Sequence, residues 1–580
     1  DKKEKTSSDY ILHHWSSIHR DRLVDRKKKQ MNSAGAAMKR RLLTRGKNSM
    51  KLRQMIQYGR DQEGGDPLFD LCPVWMASPA TVALIFPREP IFDVIIFDEA
   101  SQCRLEEAVP VLTRGRRIVI AGDPKQLPPT RFFESAVAET EITDVENDQD
   151  LFEQQQSDVE DLLAGALNLQ VGQSYLDVHY RSHHESLIGF SNEHFYRNRL
   201  QPIPAHPSTR TIKPAIELYR VDGVYKKRGN PDEAERVLEI VRELLDHRKP
   251  PSIGIACFNL VQRDLILDRL EEAADQDKQF GERYETARNR QGEGSFEGIF
   301  VKNLENVQGD ERDHMIISTT FGPDPDGKFR RNFGPIGRQG GGRRLNVLVT
   351  RARKKIHLIT SIPRTEYRVL PELEDKQSPG GRWLLYAYLN YAERLAIRRE
   401  AELHLEAVEQ ETAEGTVQEI GSGRPSALSR WMANQLAVSD RQSSDVHWGN
   451  DGFCVDVALH HPQRSDQRSI GILCDLHRFT DAPDLVDWEL FRTSLLEAKG
   501  WQFHRVFSPG LFRDWEKHHG EVLTHAQKVV SRLKLPALPK PDVSVPKESL
   551  VEISVENSFV VEDENVEAFL TFHCCPLNLS

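Results

Sequence analysis

Cysteine is scarce and scattered in this 580-residue chain: seven residues, at 72, 103, 257, 454, 474, 574 and 575, with no C-x-x-C pair among them. That spacing excludes the usual structural zinc and iron–sulfur ligand sets and argues against a disulfide framework. A reducing cytoplasm is the simplest setting for such a chain. Long apolar runs are missing as well. None approaches the roughly 18–20 residues needed to span a bilayer, so a membrane is not expected as a partner. A general excess of positive charge is absent too. With 78 Lys and Arg against 88 Asp and Glu, the net charge is −10, which argues against a uniformly basic nucleic-acid binder. What is present is enough apolar side chain for real cores, 38% of residues beside 29% charged, at a mean hydropathy of −0.55. A chain of this length is expected to hold two to four domains.

The charge is uneven. Proline is absent from the first 60 residues, where 17 Lys and Arg face 5 Asp and Glu, including the run Arg26-Lys27-Lys28-Lys29. This segment reads as helical. It is either a solvated basic face or a contact for phosphates. A Gly-Gly-Asp-Pro break at 64–67 ends it. Short apolar runs then alternate with turns, and Val82–Phe86, Val94–Phe97 and Ile118–Ala121 are expected as core strands of a parallel sheet buried on both faces. The stretch 136–166 is acidic and reads as a linker. From about 167 to 368 the alternation resumes, with helices at Glu233–Asp246 and Gln262–Ala273. Strands are expected at Ile253–Phe258, Ile299–Val301, Met315–Thr319 and Ile356–Thr360, and 331–342 is a Gly/Arg loop. A charged helical linker (369–425), a third α/β unit (426–530) and a Pro-containing tail (531–580) follow.

The chemistry sits where strands end, the place where open parallel sheets bind ligands. Asp98 and Glu99 follow Val94–Phe97 in FDVIIFDEASQC. The string GDPKQLPP (122–129) follows the next strand, with Gly122 for the turn, Asp123, and an amide at Gln126 able to sense a phosphate or a water. HYRSHHES (179–186) supplies Arg181. VQGDERD (307–313) places Gly309 and Glu311 before another strand, and LNVLVTRARKKIHLI (345–359) supplies Arg351 and Arg353. Each string alone has a plain explanation as a turn, a helix cap or a surface cation; the order of all five does not.

The series DEAS, GDPKQLPP, HYRS, VQGDERD and NVLVTRAR resembles motifs II to VI of superfamily 1 helicases, in the branch that contains the nonsense-mediated-decay helicase, and covers roughly residues 70–365. The resemblance implies two RecA-like P-loop NTPase domains that close on ATP, the first spanning 67–135 behind a basic stalk at 1–66 and the second spanning 167–368. It further implies that Asp98 holds Mg²⁺ through water and that Glu99 orients or deprotonates the attacking water. Gly122, Asp123 and Gln126 would line the nucleotide, Gln126 reporting the γ-phosphate. Arg181 and Arg351 would reach across the cleft as arginine fingers. Gly309 and Glu311 would sit near the ribose and γ-phosphate. Single-stranded or partly duplex nucleic acid, DNA in preference, would be the partner, gripped mainly through its phosphates. Tyr180 reads as a core aromatic.

One motif is missing. G-x-x-x-x-G-K followed by Ser or Thr, whose amides and lysine cradle phosphates, does not occur, and TRGKNSM (44–50) lacks the first glycine and carries Asn48 in place of the hydroxyl. In the family this loop precedes motif II, and the chain opens on Asp1 rather than Met. The expectation is therefore that the first RecA-like domain is incomplete as printed and that the printed chain hydrolyses ATP hardly at all.

The third unit reads DGFCVDVALHHP, SIGILCDLHRFT and LLEAKGWQFHRVF. It is similar to small endonuclease-like domains related to the very-short-patch repair enzyme, of the PD-(D/E)xK restriction-endonuclease-like group. The resemblance implies Mg²⁺ held by Asp456 and Asp475, with His477 beside them. Here Leu476 stands where that family often has glycine, and the triplet Glu497-Ala498-Lys499 reads as surface charge at a helix end. The expectation is thus α/β throughout: the carboxyl-terminal part of an ATP-dependent DNA helicase fused to a nuclease-like domain. Two rivals stay open: an Mg²⁺-dependent endonuclease with a scaffold RecA pair, and a binding module without catalysis.

Overall fold

A computed structural model describes residues 51–60, 72–127, 161–169, 171–209, 214–292, 296–338, 340–371, 379–408, 415–420, 425–450, 453–474, 485–506 and 508–533, with a few isolated positions before 70. TRGKNSM, Asp475 and His477 lie outside them, as do most of the basic stalk and of the acidic segment.

The first unit runs α1 (Leu52–Arg60), α2 (Pro79–Ile85), β1 (Phe92–Phe97), α3 (Leu105–Leu112), β2 (Gly115–Ile120) and α4 (Leu162–Asn168). β1 and β2 pair in parallel, and Ile95, Phe97, Ala108, Val111, Leu162 and Leu163 form their core. Three expectations are corrected here. Val82–Phe86 is no strand: its residues belong to α2 and the cap after it, because the Ser78 side chain accepts from Thr81 N and Pro79 supplies the first helical φ. A four- or five-residue apolar run cannot by periodicity distinguish the two states. Nor is the sheet covered on both faces, since Ile96 is 69% and Val119 is 49% exposed. The linker boundary at 166 also cuts through α4, which packs into this core and bonds Leu162 N to Cys103 O.

The second unit holds β3 (Val178–His179), α5 (Ser186–Phe195), β4 (Gln201–Pro202), β5 (Ile216–Arg220), α6 (Pro231–Leu245), β6 (Ile253–Cys257), α7 (Leu260–Gln276), α8 (Lys278–Arg288), β7 (Phe300–Asn303), β8 (Arg312–Ser318), α9 (Gly341–Val349) and β9 (Ala352–Thr360). Its main sheet is all parallel in the order β5-β9-β8-β6-β7. All five residues of β6 are buried, as expected of a strand with helices on both faces. Part of the expected Gly/Arg loop is helical, since α9 begins at Gly341. Glu233 ties α6 to the sheet. It is fully buried and accepts from Ser318 Oγ (2.6 Å), Thr320 N (2.8 Å) and Ser361 N (2.8 Å). Burial pushes its carboxyl up to about 7 while these donors pull it down. In Glu233→Gln the new amide NH₂ must face one of those N–H groups, so a loss of about 1–3 kcal/mol is expected, read as a lower urea midpoint.

After α10 (Gly381–Val408) the third unit comprises β10 (Val417–Glu419), α11 (Ala427–Asp440), β11 (Ser444–Asn450), β12 (Phe453–His461), β13 (Arg464–Leu473), α12 (Leu485–Ala498), β14 (Phe503–Arg505) and α13 (Trp515–Val530). Its five strands lie in sequence order, antiparallel at β11-β12-β13 and parallel at both edges. No helix among the described residues is long and apolar enough to cross a membrane.

Candidate functional site: a cleft between two parallel sheets

β1 ends at Phe97, and Asp98 and Glu99 are both exposed at its carboxyl edge. Glu99 takes a left-handed conformation (φ 52°) with its N–H bonded to Asp98 Oδ1 at 3.0 Å. Its own carboxylate accepts from Gln102 Nε2 at 3.2 Å. A non-glycine residue held there is a local strain that surrounding contacts must sustain. The loop after β2 lies directly alongside, with Ala100 N bonded to Ala121 O. A Cβ on Gly122 would come within 3.1 Å of Ala100 N, so a glycine lets the two loops close up. The carboxylate pair and the GDPKQ loop thus form one edge.

The second unit meets that edge. Tyr196, at the end of α5, donates from its hydroxyl to Asp123 Oδ2 at 2.7 Å. Asn346 of α9 donates to Lys125 O and to Tyr196 OH, each at 3.0 Å. Gln308 Nε2 reaches Gln126 Oε1 at 3.3 Å. Asp123 also accepts from Gln126 Nε2 and Lys125 N, so the acid organises its loop and latches it to the other unit. Burial, then Asp123, raises the Tyr196 phenol, which stays a donor. Gly309 turns the loop before β8 at φ 84° with open space around it.

Two guanidiniums converge on this cleft. Arg181 Nε lies 2.6 Å from Glu311 Oε2. Arg351 is buried, donates from Nε to Val347 O at 2.7 Å, and has its pKa lowered to about 10, first by burial and then by Arg181, with Glu99 and Glu311 opposing. Arg181, Arg351, Glu99 and Glu311 therefore share one electrostatic neighbourhood drawn from both units. Two carboxylates at a strand end facing two arginines suit a divalent ion with a polyphosphate between them. Arg353 is engaged elsewhere, with Glu297 at 2.7 Å and Asp313 at 3.2 Å.

Residues 3–134 and 148–362 each match a family model described as an AAA domain. The chain is 35% identical over 343 residues to an uncharacterised ATP-dependent helicase of Mycoplasma genitalium, covering 58% of this chain and 29% of that one. A similarly described helicase of Methanocaldococcus jannaschii is 28% identical, over 46% of this chain and 36% of its own. The probable helicase senataxin of Homo sapiens is 26% identical, over 50% of this chain and 10% of its own. The chain carries the two AAA domains of a superfamily 1 helicase. It spans less than a third of the length of the Mycoplasma relative.

Within this helicase pair, Asp123 and Gln126 touch the second unit directly, and Arg181 pairs with Glu311. Tyr196, Asn346 and Gln308 were not singled out: Asn346 and Gln308 stand within the motif strings, and Tyr196 lies ten residues past HYRSHHES. Two other expectations fail. Tyr180 is no core aromatic but 64% exposed. Lys499 is no surface charge: it is 4% exposed and bonded to backbone carbonyls of the second unit. Asp456 is described without its expected co-ligand Asp475, which lies outside the described residues. Asp456 is 2% exposed, paired with Arg492 at 2.9 Å, and accepts from Cys474 N at 2.8 Å. No cluster of three or more potential metal ligands occurs among the described residues.

Proposed function

We propose that this chain is the carboxyl-terminal portion of an ATP-dependent DNA helicase. In this reading ATP hydrolysis at the cleft drives translocation along single-stranded or partly duplex DNA. The single observation that carries it is the docking of the GDPKQ loop, beside Asp98 and Glu99, onto Tyr196, Asn346 and Gln308 of the second unit, which also supplies the Arg181–Glu311 pair and buried Arg351. Bound Mg²⁺ would neutralise phosphate charge, held at Asp98. Glu99 orients the attacking water and takes its proton. Arg181 and Arg351 stabilise the charge that spreads over the transferring phosphoryl oxygens, and Gln126 relays occupancy to the second unit through Gln308.

The third unit docks rather than cuts in this reading. Both oxygens of Asp456 are engaged inside the core, an arrangement that does not fit a metal ligand. The test is ATP hydrolysis by the full-length protein with Mg²⁺, with and without single-stranded DNA. Stimulated turnover that disappears in Glu99→Gln is expected. Full turnover by Glu99→Gln would overturn the assignment, and Mg²⁺-dependent DNA cleavage without ATP would favour the nuclease reading.

A further inference from the structure

Lys499 lies at the turn that ends α12, its backbone closing onto Leu496 O before Gly500 turns at φ 93°. Its side chain leaves the third unit altogether. The ammonium donates to the carbonyl of Tyr180 at 2.9 Å and to that of Ser182 at 2.6 Å. These two carbonyls flank Arg181. Around the same contact, Lys499 O accepts from His206 N at 3.0 Å, and Trp501 Nε1 donates to Pro204 O at 3.0 Å. Trp501 is 2% exposed with the His206 ring edge-on at 4.8 Å, so the junction is dry.

Burying an ammonium is costly unless it is well bonded. The Lys499 pKa is lowered by burial alone, to about 8, and no ion pair of Lys499 is seen among the described residues. Glue between two domains does not call for a charge at this place, because Trp501 and its apolar neighbours already fill the junction. Two carbonyl dipoles held by one cation do something packing cannot: they fix the Tyr180–Arg181 and Ser182–His183 peptide planes, so that Arg181 is suspended between two anchored peptides. On its carboxyl side the turn is already tied down: His183 N bonds Arg353 O of β9 at 2.7 Å, and the His179 ring bonds Ser182 Oγ at 2.8 Å. On the amino side Tyr180 is exposed and β3 is only two residues long, so the Lys499 bond to Tyr180 O restrains the side of Arg181 that has least else to hold it. On the far side of the turn the Arg181 guanidinium meets Glu311 and faces Arg351.

We propose that Lys499 is a positioning residue for the ATPase: the third unit holds the backbone around Arg181 so that its guanidinium is aimed into the cleft. The nuclease-like unit is thereby part of the motor, and its undocking would switch hydrolysis down. This rests on the ATPase reading above.

The experiment is steady-state ATP hydrolysis by the full-length protein with single-stranded DNA. Lys499→Met is expected to lower kcat about tenfold with KM for ATP moved less than about twofold, the pattern of a contact felt in the transition state. In an Arg181→Lys background the same change is expected to cost less than about twofold, because a residue that acts through Arg181 has nothing left to position. Trp501→Phe removes a docking bond without touching Lys499 and is expected to lower thermal stability while keeping kcat. Lys499→Gln, which keeps an NH₂ donor but loses the charge and some reach, is read in the same way should the methionine variant fail to fold. An unchanged kcat in both Lys499 variants, or an equal loss in the Arg181→Lys background, overturns the proposal. A wild-type protein without ATP turnover overturns the underlying reading and the proposal with it.

Discussion

Replacing Arg351 by alanine is expected to lower kcat for ATP hydrolysis by roughly 10³–10⁵-fold, the range known for a trans-acting arginine. The reasons lie in where the guanidinium is kept. It leaves the end of α9 with Nε anchored on Val347 O, one turn back, and is 5% exposed beside a second cation. Such a group is costly in the resting protein, and that cost is returned when negative charge arrives between the two arginines. Because Arg351 itself is buried, its charge acts more strongly there than it would in water. Arg351→Lys is expected to recover little of the loss: an ammonium on a longer, freer stem cannot keep one N–H on Val347 O and aim others at phosphate. The measurement is steady-state turnover by the full-length protein, with thermal unfolding to show that the variant is folded. A fall of less than about tenfold would contradict the role. Removal of a buried like charge from beside Arg181 is not expected to unfold the second unit.

The parts of this site that could be read from sequence were those that chemistry ties to strand ends. β6 is apolar throughout, and β8 and β9 have apolar centres at Met315–Ile317 and Leu358–Ile359, so these strands were legible, as were the loops that carry Asp98, Glu99, Arg181, Glu311 and Arg351. Val82–Phe86 went astray because a short apolar run has no period long enough to decide. The Ser78-Pro79 start of α2 was the signal that should have outweighed it. Lys499 illustrates a different limit. Its partners Tyr180 and Ser182 are more than three hundred residues away in sequence, and nothing local tells a buried lysine at a helix end from an exposed one. Tyr196 is a third case, since an aromatic at a helix end reads as core until its hydroxyl is seen on Asp123 of the other unit. Asp456 stood out by sequence for a sound reason, an acid in an apolar strand, but the reason admits two answers. A metal is one. A buried cation from a helix packed on the sheet is the other, and Arg492 of α12 supplies it.

That pair carries the second large effect. Arg492→Met is expected to destabilise the third unit by roughly 3–5 kcal/mol, because it leaves the Asp456 carboxylate in the core without its cation. The two side chains are 6% and 1% exposed. Arg492 Nη2 also reaches Cys454 O, so the arginine ties α12 to β12 at two points, while the other Asp456 oxygen holds the start of the segment after β13 through Cys474 N. Asp456→Asn is expected to cost less, since an amide oxygen can still accept from Arg492 or Cys474, although the buried guanidinium loses its counter-charge. Asp456→Leu combined with Arg492→Met is expected to recover much of the loss, as replacement of a whole buried pair by apolar side chains commonly does. Urea unfolding followed through the fluorescence of Trp448 and Trp501 reads all three variants. A metal site predicts the opposite ordering: two acids freed of mutual repulsion would make Asp456→Asn more stable, and Mg²⁺ would raise the wild-type midpoint. An ion pair gives neither result, because Asp456 is already neutralised by a fixed cation. The sign of the Asp456→Asn change therefore separates a structural strut from a degenerate catalytic centre without any cleavage assay.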